Sequence, residues 1–258
     1  MTAAPAGGQS STIALPPGWA LHRYDVVGST NDVAKELAEK GAPHGTVVMA
    51  DRQAAGRGRH GRAWSSPAGN LYASVVLRPE MPAAVVAQLS LIASLAMAEA
   101  LAELALEIDV RVKWPNDVLI GNAKISGLLL ESAGPLGDKV DWVVIGSGVN
   151  IAHRPDLDRP TISLAETAAV PVTPLNVLEA YCGQLEMLVG VWRSGEFAAI
   201  RPRWLQRAIG VGSPVSVKLG DSAVNGRFAG LDEGGAIIVQ APDGARRSIA
   251  AGELVLQG

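Results

Sequence analysis

"GRGRHGR", Gly56 to Arg62, is the stretch on which the reading of the fold turns. Its glycines have the spacing G-x-G-x-x-G of a dinucleotide-binding turn. Such a turn needs a strand before it and a helix after it, because the helix N-terminus faces the pyrophosphate. The strand is there, in "GTVVMADR" (45–52). The helix is not. "AWSSPAGNLYASVVL" (63–77) follows, where Pro67 and Gly69 break helical continuity and a second strand takes over. A Walker loop fails as well, since no Lys-Ser or Lys-Thr pair follows the last glycine. What remains is a loop between two strands that carries Arg57, Arg59 and Arg62. Guanidinium forks pair with carboxylate and phosphate oxygens, and glycines let the backbone come close to a ligand. A solvated basic loop is the plainer alternative.

Working outward, "WALHRYDVV" (19–27) alternates as a strand. "STNDVAKELAEKGA" (29–42) reads as a short helix with Ser29 at the cap position and Gly41 as terminator. "NLYASVVLR" (70–78) is the next strand. A long apolar helix covers about 83 to 106; Gln88, Ser90, Ser94, Glu99 and Glu103 interrupt it, which argues for a buried helix rather than a membrane span. "VRVKWPNDVLIG" (110–121), "AKISGLLLES" (123–132) and "VDWVVIGSGVNI" (140–151) read as three strands, joined by turns at Gly121-Asn122 and near Gly134 to Asp138. Links this short favour antiparallel neighbours. Two helices follow, about 174 to 193 and 196 to 208. Beyond 210 the composition shifts to short β-like runs split by Gly-Asp, Asn-Gly, Gly-Gly and Asp-Gly turns. That predicts a small β-barrel, too small to be stable alone and therefore docked on the main domain.

The chain has 258 residues, 48% hydrophobic and 18% charged, with a formal net charge of −3, a mix that supports a buried core. A protein gripping duplex DNA by its phosphates would carry a basic excess. The arginine cluster is thus local, and it suits a small anionic ligand better than a polymer. The single cysteine, Cys182, excludes a disulfide or a thiolate metal site within one chain. It recurs with Leu178, Tyr181, Leu185, Leu188, Val189 and Trp192 at helical spacing, as a buried structural thiol would. A reducing cytoplasm is the default compartment. Residues 1–18 lack the basic start and apolar block of a signal peptide and read as a loose tail.

No His-rich or carboxylate-rich metal spacing and no G-x-S-x-G elbow is present, and His22, His44, His60 and His153 are scattered. Positioning and charge neutralisation are then the expected tools, not a covalent nucleophile. Lys113, Asn116 and Asp117 sit at a strand–turn junction, Lys124 opens an apolar strand, and Asn150 follows "GSGV". Each has a plain reading alone: a snorkelling lysine, an edge lysine, a turn cap. Together they supply cations and amides on neighbouring strands.

These motifs, in this order, resemble the biotin protein ligases. The resemblance rests on "GSTN" (28–31), "RQAAGRGRHGRAW" (52–64), "SPAGNLYASVVL" (66–77), "KWPNDV" (113–118), "KISGLLLE" (124–131), "GSGVN" (146–150) and the tail "GRFAGLDEGGAIIV…GELVL". It runs from about residue 20 to the end. It implies an α+β fold: a central mixed, largely antiparallel sheet with helices packed on it, of class II synthetase type, then an SH3-like barrel. It divides the chain into a flexible tail (1–18), a catalytic biotin- and ATP-binding domain (19–209) and the barrel (210–258). It implies formation of biotinyl-5′-AMP from biotin and ATP with Mg2+, then transfer to a lysine of a biotin carboxyl carrier domain, as in acetyl-CoA carboxylase and related carboxylases. Some relatives carry an N-terminal DNA-binding domain. About 20 residues precede the first strand here, so the catalytic type is expected: no nucleic acid, no membrane, a cytoplasmic monomer or homodimer.

Carried over residue by residue, the resemblance places Ser29, Thr30, Asn31 and Gln53 around the biotin ring system, with the backbone of Gly127 beside them. Hydroxyls and amides suit the ureido group, a neutral donor–acceptor ring. Arg57, Gly58 and Arg59 match the loop that wraps the biotin carboxyl and the adenylate phosphate. Lys124 matches a lysine near the biotin carboxyl and Lys113 one near the ATP α-phosphate. Arg62, Trp64, Asn116, Asp117 and Asn150 complete the nucleotide side, Trp64 closing over the ligand and Asn150 reading adenine. Asn116 or Asp117 would assist magnesium. His60 departs from the pattern, where relatives often have another arginine. Glycine content and self-repelling charge suggest a loop disordered without ligand. No residue stands out as the base for the transfer step. The rivals are a lipoate or other acyl-adenylate ligase, a non-catalytic biotin sensor, and a nucleic-acid-binding loop.

Overall fold

A computed structural model of the chain describes residues 13–133, 135–136 and 139–257. In chain order the elements begin with β1 (Ala20–Val27), α1 (Thr30–Glu39), β2 (Thr46–Gln53), β3 (Leu71–Leu77), α2 (Ala83–Val86) and α3 (Leu89–Leu104). Next come β4 (Val110–Lys113), β5 (Asp117–Ile120), β6 (Ala123–Ser132), β7 (Pro135–Leu136), β8 (Lys139–Val140) and β9 (Val143–Val149). The chain closes with α4 (Pro174–Arg193), α5 (Phe197–Arg207), β10 (Pro214–Leu219), β11 (Ser222–Leu231), β12 (Ile237–Gln240), β13 (Arg246–Ile249) and β14 (Glu253–Leu256).

Strands β3 and β9 are buried along their whole length, which is why "LYASVVL" and "VVIGSGV" read as nearly continuous apolar or small-residue runs. They lie in the middle of a seven-stranded sheet of order β1-β2-β3-β9-β6-β5-β4. The pair β1–β2 is parallel, since α1 carries the chain across between them; the other pairs are antiparallel. One face is covered by α1, whose Ala34 and Ala38 pack on Val48, Val76, Trp142 and Val144. The other face carries α3, α4 and α5. Helix α3 is apolar nearly all round because it is enclosed, and Ser94 hydrogen-bonds the α5 indole of Trp204 at 3.0 Å. Among the described residues, Ala83–Leu104 is the segment long and apolar enough to cross a membrane, yet most of it lies inside this core. Cys182 is buried on α4, and burial pushes its thiol pKa up.

The C-terminal strands form a five-stranded antiparallel sheet, β13-β12-β11-β10-β14, the SH3-like barrel. Val215, Val217, Phe228, Ile237 and Val239 join the same core as α3. Gln88 donates from Nε2 to the Glu233 carbonyl at 3.0 Å, and Trp114 Nε1 to the Gly235 carbonyl at 3.4 Å. Docking of this kind removes the apolar surface that so small a barrel cannot cover by itself.

Four expectations are corrected. "VRVKWPNDVLIG" is not one strand but the hairpin β4–β5, turned at Trp114–Asn116. The apolar helix starts at Ala83 as expected, keeps right-handed helical backbone through Ala87 and Gln88, and stops at Leu104, short of 106. Ser29 occupies the N-cap of α1 but makes no side-chain cap bond. Of the expected loose tail, residues 1–12 lie outside the described residues, while Ile13 and Leu15 pack on the main core. The turn expected near Gly134 to Asp138 lies partly outside them too; Pro135–Leu136 and Lys139–Val140 pair as a short hairpin.

Candidate active site

The floor of the main cleft is glycine. Gly127 on β6 and Gly148 on β9 are direct antiparallel partners, and Gly146 follows two residues back. A methyl group at Gly148 would run into the indole of Trp64, and one at Gly146 into the amide of Asn31. Bare backbone at these positions leaves room for rings on the sheet.

One wall is the start of α1 and the end of β2. Ser29, Thr30 and Asn31 are all buried and line the cleft. Gln53 Oε1 accepts from Thr30 N at 2.8 Å and from Thr30 Oγ1 at 3.1 Å, while its Nε2 donates to Ser66 Oγ at 3.1 Å. Asn31 donates from Nδ2 to Glu131 Oε2 at 2.7 Å, and Ser74 Oγ lies 2.6 Å from its Oδ1. This is a neutral wall whose amides and hydroxyls are held in place by one another.

The opposite wall is cationic. The Gly56–Arg62 loop folds back as a tight hairpin, with Gly58 N donating to Arg62 O at 2.7 Å and Trp64 N to Gly56 O at 2.9 Å. Its tip turns at His60 and Gly61, with φ of 57° and 69°. Three contacts hold the loop in this conformation. Arg57 pairs with Asp32; Arg59 donates to Asn116 Oδ1 at 3.2 Å and to the Gly252 carbonyl at 2.9 Å; Arg62 pairs with Glu253 at 2.8 Å. Lys113, Asn116 and Asp117 come from the β4–β5 turn, and Lys124 from the start of β6. The Lys124 side chain is only 12% exposed, so it is no edge lysine; Nζ lies 2.5 Å from Asp117 Oδ1 and 5.5 Å from the Trp64 ring centre. The cleft is half-enclosed, with the glycine floor, the amide–hydroxyl wall and the cationic wall around it.

Every site residue expected from the sequence lines this cleft except Asn150. That side chain is buried and turned onto backbone, donating from Nδ2 to Ile162 O at 3.1 Å and Lys124 O at 3.4 Å. It fastens the segment after β9.

Similarity to known proteins follows the same residues. The Biotin/lipoate A/B protein ligase family matches residues 24–150, and the Biotin protein ligase C terminal domain matches 210–256. The biotin--[acetyl-CoA-carboxylase] ligase of Paracoccus denitrificans is 39% identical over 238 residues, covering 89% of this chain and 98% of that one. The chain belongs to the biotin protein ligase family. The bifunctional ligase/repressor BirA of Bacillus subtilis (strain 168) is 33% identical, covering 89% of this ligase and 72% of the relative. The biotin protein ligase from Aquifex aeolicus in complex with biotin and ATP superposes with a TM-score of 0.77 at 30% identity, covering 92% of this ligase and 98% of that structure.

The ligase carries counter-charges that its sequence motifs did not announce. Asp32 and Glu131 flank Arg57, and Lys35 bridges them at 3.1 and 2.8 Å. The Arg57 guanidinium, with Lys35, holds the Asp32 carboxyl down at about 2. Burial raises Glu131, but Lys35 and Asn31 outweigh it and leave it below the usual carboxylate range. Burial lowers the Lys124 pKa, and Asp117 only partly opposes that. Glu253, from the barrel, is lowered chiefly by its bond to Arg62. Gly146, Ser147 and Arg159 also line the cleft. A glycine at every second position of "GSG" on a buried strand was the available signal for the floor; the distant carboxylates had none.

Proposed function

We propose that this ligase joins biotin to MgATP as biotinyl-5′-AMP and then passes the biotinyl group to a lysine of the biotin carboxyl carrier domain of acetyl-CoA carboxylase or a related carboxylase. One observation carries the reading: a neutral amide–hydroxyl wall and a cationic wall face each other over a glycine floor. Biotin has the matching halves, an uncharged ureido ring and a carboxylate.

In the first step a carboxylate oxygen attacks the α-phosphorus. The α–β bridging P–O bond breaks, and its electron pair leaves with pyrophosphate. Ser29, Thr30, Asn31 and Gln53 hold the ring, with the backbone of Gly127 beside it. Arg57, Gly58, Arg59 and Lys124 surround the carboxylate and the nascent phosphate. Lys113 neutralises the α-phosphate, while Arg62, Asn116 and Asp117 line the nucleotide side. Such preset charge stabilises the transition state without reorganisation. Trp64 Nε1 is buried without an acceptor among the described residues, which suits an indole that closes on a ligand oxygen. Asn116 and Asp117 would stand beside magnesium bound to the nucleotide, and the ion would neutralise charge on the phosphates.

In the second step the neutral lysine amine of the carrier attacks the acyl carbon, AMP leaves, and the amine nitrogen loses a proton. The reading takes 19–209 as the catalytic unit and 210–258 as the barrel that backs the loop. It places the reaction in the cytoplasm, in a monomer or homodimer that binds neither nucleic acid nor membrane; the net charge of −3 speaks against a nucleic-acid partner. The test is incubation with ATP, magnesium, biotin and a carrier domain. The carrier should gain one biotinyl group by mass spectrometry, and pyrophosphate exchange should respond to biotin and not to lipoate. Exchange driven by lipoate alone would overturn it.

A further inference from the structure

Arg159 belongs to no motif discussed above, yet it stands in the wall of the cleft. Its place is set by backbone pairing. Lys124 N donates to Pro160 O at 3.0 Å, and Ile162 N donates to Lys124 O at 3.1 Å, so a single parallel bridge between Lys124 and Thr161 fixes this segment beside the start of β6. Thr161 Oγ1 ties the segment back on itself through the Pro155 carbonyl at 2.6 Å.

The two carboxylates of the cleft are already engaged, Glu253 with Arg62 and Asp117 with Lys124. Among the described residues, Arg159 and Lys113 form no ion pair. Arg159 also acts on both neighbours: its charge reinforces the lowering of Glu253 and adds to the lowering of Lys124. Like charges gathered in a half-enclosed cleft repel, and a multivalent anion relieves that repulsion.

We propose that Arg159 is a polyphosphate-contacting residue, taking oxygens of the β- and γ-phosphates and then of the leaving pyrophosphate, with Lys113 on the same anion. The inference rests on the reading above and adds a residue and a subsite to it. As the bridging P–O bond breaks, negative charge grows on the pyrophosphate, and a guanidinium fork meets two of its oxygens at once. An acidic face of the carrier is the other ligand a cation could serve; the position within the cleft lining favours phosphate.

The experiment compares the unaltered chain with Arg159→Ala and Arg159→Lys. Arg159→Ala should raise the KM for ATP and the inhibition constant of pyrophosphate roughly tenfold, the scale of one charge-assisted contact. Arg159→Lys should recover part of that. The KM for biotin and transfer from preformed biotinyl-AMP should stay unchanged. Unaltered ATP and pyrophosphate constants overturn the proposal, as does a change confined to the KM for the carrier domain. Calorimetric titration of pyrophosphate separates the two readings: Arg159-dependent binding in a chain that makes no adenylate would keep the subsite and remove the ligase function.

Discussion

Arg57 and Asp32 meet as a two-pronged ion pair, Nη1 to Oδ2 at 2.7 Å and Nη2 to Oδ1 at 2.6 Å. The contact fastens the glycine-arginine loop to the first turn of α1, the same turn that carries Thr30 and Asn31. The wall for a neutral ring and the wall for an anion are therefore one mechanical unit.

Asp32→Asn should loosen that unit. The depressed Asp32 carboxyl, at about 2 against an ordinary 3.8, means the pair is complete above 3.8 and is lost as pH falls toward 2. Asp32 is half-exposed, so solvent screening keeps its share of global stability small. The local effect is what counts. Tryptic cleavage after Arg57, Arg59 and Arg62 should quicken up to about fivefold, as expected for loss of a pair worth at most ~1 kcal/mol. An unchanged cleavage rate would remove Asp32 as the anchor.

Lys124 should set an alkaline limit. Burial puts its folded-state pKa below 10.5. Between that lowered value and 10.5 the unfolded chain binds more protons, so stability rises with pH. Activity should fall over the same window, because the cation that attracts the biotin carboxylate disappears. Lys124→Ala should cut adenylate formation by roughly a hundredfold, about 3 kcal/mol for a buried charged contact. In Lys124→Arg any remaining activity should lose the alkaline limb of the pH–rate curve. A limb that persists in the arginine variant would assign it elsewhere.

Gly148→Ala should displace Trp64, since the added methyl would overlap the indole. Gly148 has no left-handed backbone that demands glycine, so the effect is steric and local. Affinity for biotinyl-AMP should drop about tenfold or more, with overpacking of roughly 1–3 kcal/mol partly relieved by movement of the side chain. Comparison with Trp64→Phe by calorimetry checks this. Equal affinity in Gly148→Ala and the unaltered chain would show that the indole is free to leave.

Arg59→Gly should leave some adenylate synthesis but release the intermediate. The change deletes the contacts to Asn116 Oδ1 and to the Gly252 carbonyl, which hold the loop over the cleft. Filter-retained biotinyl-AMP should fall and free biotinyl-AMP in solution should rise. Full retention would argue that Arg57 and Arg62 close the loop without it.

Local pattern carried far in this chain. The strand on each side of Gly56–Arg62 excluded a dinucleotide turn, and periodicity located α4 and α5 to within a residue or so. Turn dipeptides marked out the barrel strands. The cleft residues came from the family resemblance, not from local pattern, and all of them but Asn150 line one cleft. Local pattern failed where a local preference competed with packing. Trp114 is buried in the core where "VRVKWPNDVLIG" turns as a hairpin, and Gln88, still in helical backbone, is buried against the barrel and Trp192.

Tertiary structure alone decided the distant partners of the loop arginines and of Asn31. Arg59 reaches a carbonyl 193 positions along the chain, and Asn31 a carboxylate 100 positions away. No periodicity links such residues; only the closing of the sheet and the docking of the barrel bring them together. The type of each side chain says what it can bind, but which cation is neutralised and which is left for a ligand depends on distance, and distance is set by packing.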